Sequence, residues 1–261
     1  MPLTRSAPTY QDAPTQTAQA LGLPLAEPIE IKRRLAAIFA SDVEGYSRLM
    51  GADEVATLDA LTARREGYAN DPQFDRKEAV RLARLALSID DSDPETLARA
   101  SVISAFMVGD SDAAIEMADR AVALNPNSWA TWTSRGHVYR IAGLPEEAIQ
   151  SFERAIRMSP VDPRLHTTLT GIGMALIELR RFDEAIAFGK KALRQNPSYV
   201  ATYNCLASAF AHLGRDAEAR EAAARVLEID PAFTISALIA RGGQSNAKLF
   251  IEGLRKAGLP E

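Results

Sequence analysis

The chain has 261 residues, 47% hydrophobic and 25% charged, with 30 basic against 34 acidic side chains and a net charge of -4. Interspersed charge leaves no basic face for nucleic acid, no apolar run reaches the roughly 18 residues that span a bilayer, and Cys205 alone excludes an intrachain disulfide or a cysteine-rich zinc site. The totals point to a globular protein of the cytoplasm whose partner is a protein or peptide rather than nucleic acid or membrane.

Residues 1–30 hold five prolines among Thr, Gln and Ala, and read as a disordered tail. Residues 31–66 differ in character. Leu35 to Ala40 is an unbroken apolar run, which suits a buried strand or a buried helix segment alike. Asp42 follows it, and Gly45 opens a turn into a helix that Asp42 is placed to cap. The stretch RRLAAIFASDVEGYSRLM, Arg33 to Met50, resembles the opening strand and turn of class III adenylate/guanylate cyclase domains. That resemblance implies that Asp42 is one of two aspartates holding two divalent metals, Mg or Mn, with the Val43 carbonyl assisting. Such metals neutralise a triphosphate and lower the pKa of the attacking ribose hydroxyl.

The resemblance ends near Arg65, whereas a cyclase domain needs on the order of 150 residues to close its sheet. The second metal-binding Asp is not found. Gly109-Asp110 falls between two helical patterns and reads as a turn. Residues 31–66 therefore read as a truncated cyclase-like opening segment. No catalytic residue is expected in this chain, and no cofactor unless cyclase chemistry holds.

Asp53 to Tyr68 carries Val55, Leu58 and Leu61 on one helical face, and Asp71-Pro72 starts a second helix with Ala79, Ala83 and Ala86. This pair forms a leading partial unit. Further on, Trp129 to Pro160 has two helical blocks, Trp132-Gly136-Tyr139 and Ala148-Phe152-Ala155, separated by Gly143-Leu144-Pro145. The order and spacing resemble the tetratricopeptide repeat at nearly every signature position, with Arg135 in place of the expected Leu. The closing prolines Pro126, Pro160, Pro197 and Pro231 lie 34, 37 and 34 residues apart, and Val161-Asp162-Pro163 accounts for the longer interval.

The resemblance implies an all-α solenoid of antiparallel helix hairpins over residues 67–240, about four units after the leading one. Trp132, Tyr139 and Phe152 are expected to fill the space between hairpins. Residues 241–261 form a capping helix and tail, with Ser245 or Asn246 as the cap of AKLFIEGLRKAG. The ending LRKAGLPE resembles the tails of cyclase proteins that carry such repeats, which implies a setting in cyclic-nucleotide signalling.

In that repeat family, certain first-helix positions line a concave groove that binds peptides. Matched onto this sequence they are Arg99, Thr133, His137, Arg140, Thr170, Met174, Asn204, Ser208 and His212. The paired Lys and Asn that clamp carboxylates in chaperone-binding members do not appear there. His137, His166 and His212 are too scattered for a metal site, and Cys205 sits in an apolar pattern as an inert thiol.

Overall fold

The computed structural model describes residues 79–81, 83–84, 86–88, 91–242 and 246–261. Asp42, the cyclase-like segment and the first helix of the leading unit lie outside the described residues. Every regular element among the described residues is helical.

Four hairpins follow one another. They are α1 (Pro94–Ile103) with α2 (Ser111–Leu124), α3 (Trp129–Ile141) with α4 (Pro145–Met158), α5 (Leu165–Glu178) with α6 (Phe182–Gln195), and α7 (Val200–His212) with α8 (Asp216–Ile229). Two short helices end the chain, α9 (Ile235–Arg241) and α10 (Lys248–Lys256). Local chemistry sets these boundaries. Asp93 accepts from Thr96 N–H with Pro94 at the first helical position, and Asp110 and Ser128 cap α2 and α3 in the same way. The second helices α4, α6 and α8 open instead with acidic residues, Glu146 and Glu147, Asp183 and Glu184, and Asp216 and Glu218, which suit the positive end of a helix.

Gly109-Asp110 is the turn the sequence implies: Gly109 adopts φ +80°, and its N–H closes a π-helical turn, Ser104–Val108, at the end of α1. The 37-residue interval is likewise explained. Asp162 accepts from Arg164 N–H at 2.8 Å, forming an extra turn before α5 starts at Leu165.

Each second helix packs on its own first helix and on the first helix of the next hairpin. First helices also pack on one another along the stack, whereas second helices do not pack closely together. The stack must therefore curve with α1, α3, α5 and α7 on its inside.

Phe152 joins two hairpins. It is 0% exposed, and a Cβ on either Gly136 of α3 or Gly171 of α5 would stand 2.5 Å from its ring. At the equivalent place in the next hairpin the sizes invert: Gly189 leaves room for Leu206, whose side chain lies 2.7 Å from where a Cβ would be. Trp132 has another task. It is only half-buried, and its indole N–H donates to the Pro126 carbonyl at 2.8 Å, as Tyr203 O–H does to Pro197 at 2.9 Å. In both cases the aromatic ties a first helix to the closing proline of the preceding unit.

Arg135, the departure from the repeat signature, links three helices. Its Nε donates to Asp119 of α2 at 2.7 Å, and its other nitrogens reach Ser151 of α4 at 2.6 Å and Tyr139 at 2.9 Å. Its guanidinium also lies 4.0 Å over the Tyr139 ring, and Tyr139 O–H donates to Asp119. A polar bracket replaces an apolar contact.

Candidate partner-binding groove

The nine groove candidates fall on the inner first helices, where they do different work. The Thr133 hydroxyl pairs with Thr168 at 3.3 Å and the Thr170 hydroxyl with Thr202 at 2.7 Å, stitching α3 to α5 and α5 to α7. Arg99 pairs with Glu95 one turn earlier at 3.3 Å. Met174 is partly buried against the main core. Asn204 is 3% exposed, and its Oδ1 has no hydrogen-bond partner.

His137 and Arg140 form the most unusual pair. The His137 ring stands edge-on to Phe152 with centroids 4.9 Å apart, and its Nδ1 is buried without a partner. Burial holds its pKa down at about 3, helped by the charge of Arg140, so the imidazole is neutral. Arg140 is 8% exposed, with the Phe106 ring 5.9 Å away, and its Nε is buried without a partner. Desolvation lowers it to about 10, partly offset by the Glu178 charge, so it stays cationic at neutral pH. A buried guanidinium without an ion pair is costly.

Ser208 and His212 contact the end of the chain. Around Gly242 the backbone approaches the π-helical turn after α1 so closely that a Cβ there would stand 1.8 Å from the Phe106 carbonyl oxygen. Asn246 Nδ2 donates to the Ile141 carbonyl at the end of α3, 2.8 Å away. Glu178, ending α5, accepts from Phe250 N–H at 2.9 Å and Leu249 N–H at 3.4 Å. On α7, Ser208 donates to the Phe250 carbonyl at 3.0 Å and His212 Nε2 meets the Leu249 carbonyl at 2.7 Å. The His212 ring stacks on Phe182 with centroids 4.8 Å apart. Gly253 lies against Ser208, so α10 runs antiparallel to α7.

The capping helix is thus present, and its place is on the inner faces of α7 and α5. It buries Phe250, Ile251 and Leu254 and exposes Lys248, Glu252, Arg255 and Lys256. Of the two expected caps, Ser245 lies outside the described residues and Asn246 does not act as one. Ala247 occupies the cap position without a side-chain bond, Glu178 supplies the missing acceptor, and Asn246 serves α3 instead. Burial raises the Glu178 pKa against the opposing effect of those two N–H groups. Spacing gave no sign of Glu178, because its partners lie 71 and 72 residues downstream.

Among the described residues no group of three or more His, Cys, Asp or Glu could hold a metal. Cys205 is buried, with its thiol pushed up to about 12, which makes it unreactive. No helix among the described residues is long and apolar enough to cross a membrane.

A curved stack of hairpins with first helices inside defines a helical-hairpin solenoid. The family model described as Tetratricopeptide repeat matches residues 100–163 and 170–232, which fall within these hairpins. Over 109 residues the chain is 30% identical to the Small glutamine-rich tetratricopeptide repeat-containing protein 2 of Mycosarcoma maydis; this is 40% of the chain and 30% of that relative. The chain therefore spans less than a third of the curated relative it matches. PilW, a widely conserved type IV pilus biogenesis factor, has a similar fold, with a TM-score of 0.57 and 17% identity over 89% of this chain and 90% of that one. A thermophilic TPR protein of Thermus thermophilus, TTC0263, matches at 0.54, with 22% identity over 73% of this chain and 93% of that one. The Pseudomonas aeruginosa pilF structure gives 0.52, with 18% identity over 88% and 89%. The cyclase-like segment lies outside the residues that the family model matches.

Proposed function

We propose that the chain is a protein–protein interaction module whose inner groove takes a peptide or protein segment. Arg140 is the observation that carries this reading. A largely buried cation whose Nε has no partner, beside the orphaned His137 Nδ1, costs stability, and it is compensated when a partner supplies an acceptor. The buried and unpartnered Asn204 Oδ1, two units further along, fits the same reading. The test is affinity capture from source cells, comparing the wild type with Arg140→Gln. Partners held by the wild type and lost by a fully folded variant are expected; an unchanged partner set sinks the reading.

A setting in cyclic-nucleotide signalling rests on the resemblance of Arg33 to Met50 and of the ending LRKAGLPE, and cyclase activity with Asp42 as a metal ligand on Arg33 to Met50 alone. Cyclic nucleotide formed from ATP or GTP with Mg²⁺ or Mn²⁺, and lost in Asp42→Ala, is what the cyclase reading requires. No product from the wild type rejects it.

A further inference from the structure

We propose that the inner face of α5 and α7 is a receptor for an amphipathic helix, held in cis by α10 and opened to a partner helix of the same pattern by exchange. This rests on the groove reading and names the chemistry of its occupant. The pattern is that of α10: large apolar residues at Phe250, Ile251 and Leu254, a glycine at Gly253, and an N-terminus without a cap of its own.

Three observations support the inference. First, the receptor's polar contacts reach the backbone of the occupant, not its side chains. Glu178 takes the N–H groups of Leu249 and Phe250, while Ser208 and His212 meet the carbonyls of the same two residues. Any helix entering N-terminus first offers the same groups, and selection falls to the apolar side chains and to the glycine that must clear Ser208. Second, α10 has nine residues, too few to persist as a helix in water, so the receptor imposes its helicity. Third, the occupant fits incompletely: with α10 in place, Asn204 Oδ1 on α7 still lacks a donor. A partner that supplies one gains what the tail leaves unmade. Because the tail is tethered, it competes at an effective concentration of about the millimolar range, which sets the threshold a partner must exceed.

A fluorescein-labelled peptide of residues 246–261 serves as the probe, titrated by anisotropy into the full-length chain and into full-length Phe250→Asp, whose own tail is released. The variant is expected to bind at least about tenfold more tightly than the wild type, whose tail blocks the site. A probe carrying Phe250→Asp is expected to bind neither. No binding to the released variant, or equal binding to both chains, overturns the proposal. Hydrogen exchange on the wild type and Glu178→Ala keeps the test decisive if Phe250→Asp misfolds. Amides of 250–256 are expected to exchange about tenfold faster in Glu178→Ala while those of α5 hold; if α10 exchanges only together with α5 in both proteins, the tail is an integral part of the fold and the proposal fails. No outside partner is needed, so failure here leaves the Arg140 capture result standing, and the reverse holds too.

Discussion

The hairpin α3/α4 and the terminal helix α10 are held by opposite strategies. Within α3/α4 the central contact is apolar and close in shape, with Phe152 filling the space left by Gly136 and Gly171 and the Arg135 bracket beside it. In α10 the buried residues Phe250, Ile251 and Leu254 join the same core, and single polar contacts to residues far away in the chain fix its backbone in addition. Shape complementarity holds one region permanently. Backbone-directed polar contacts hold the other in a form that can be traded. The difference teaches that burial alone does not tell a structural helix from a bound one; the kind of contact does.

The largest expected effect breaks the permanent side. Phe152→Ala removes the ring between two glycines and is expected to cost about 3–5 kcal/mol, read as the shift of a chemical denaturation midpoint. Gly136→Leu, which forces a side chain into the same ring, is expected to cost about 1–3 kcal/mol. Should either variant melt like the wild type, the interlocking account of the hairpin fails.

A second substitution moves stability the other way. Arg140→Met exchanges a buried charge for an apolar chain of similar length and is expected to stabilise by about 1–4 kcal/mol in urea melts. A loss of stability instead would show that the guanidinium has a structural partner.

Acid gives the next effect. The His137 pKa is held at about 3 in the fold against an ordinary value of 6.5, so the unfolded chain binds the proton first. Stability is then fully present above 6.5 and falls as pH drops toward 3, by up to about 1.4 kcal/mol per pH unit. His137→Gln is expected to flatten that slope between about pH 6.5 and 5; an unaltered slope assigns the acid sensitivity elsewhere. Last comes Trp132→Phe, which deletes only the half-exposed bond to the Pro126 carbonyl. A loss of about 0.5–1.5 kcal/mol in the melt is expected.

Much of the hairpin stack was legible because small residues at Gly136, Ala148 and Ala155 and the closing prolines recur at fixed spacing, and a repeat writes its packing into its period. Three things were not. Arg135 looked like a defect in the signature, because its partners Asp119 and Ser151 sit on flanking helices and follow no consensus. Glu178 drew no reading at all, since a cap supplied from another helix leaves no local trace. The groove candidates all fall on first helices, yet Thr133 and Thr170 turn out bonded to Thr168 and Thr202, because a periodic position fixes direction but not what lies opposite.

The path of the tail has a mechanical side as well. Gly242 meets the π-helical turn after α1, and Asn246, Leu249, Phe250 and Gly253 meet α3, α5 and α7, while the Ile235 N–H bond to the Pro260 carbonyl, at 2.7 Å, closes the segment into a loop. A brace of fixed length across four stacked units sets their pitch. Its removal would free the superhelix to bend, as cutting the string of a bow lets its limbs straighten.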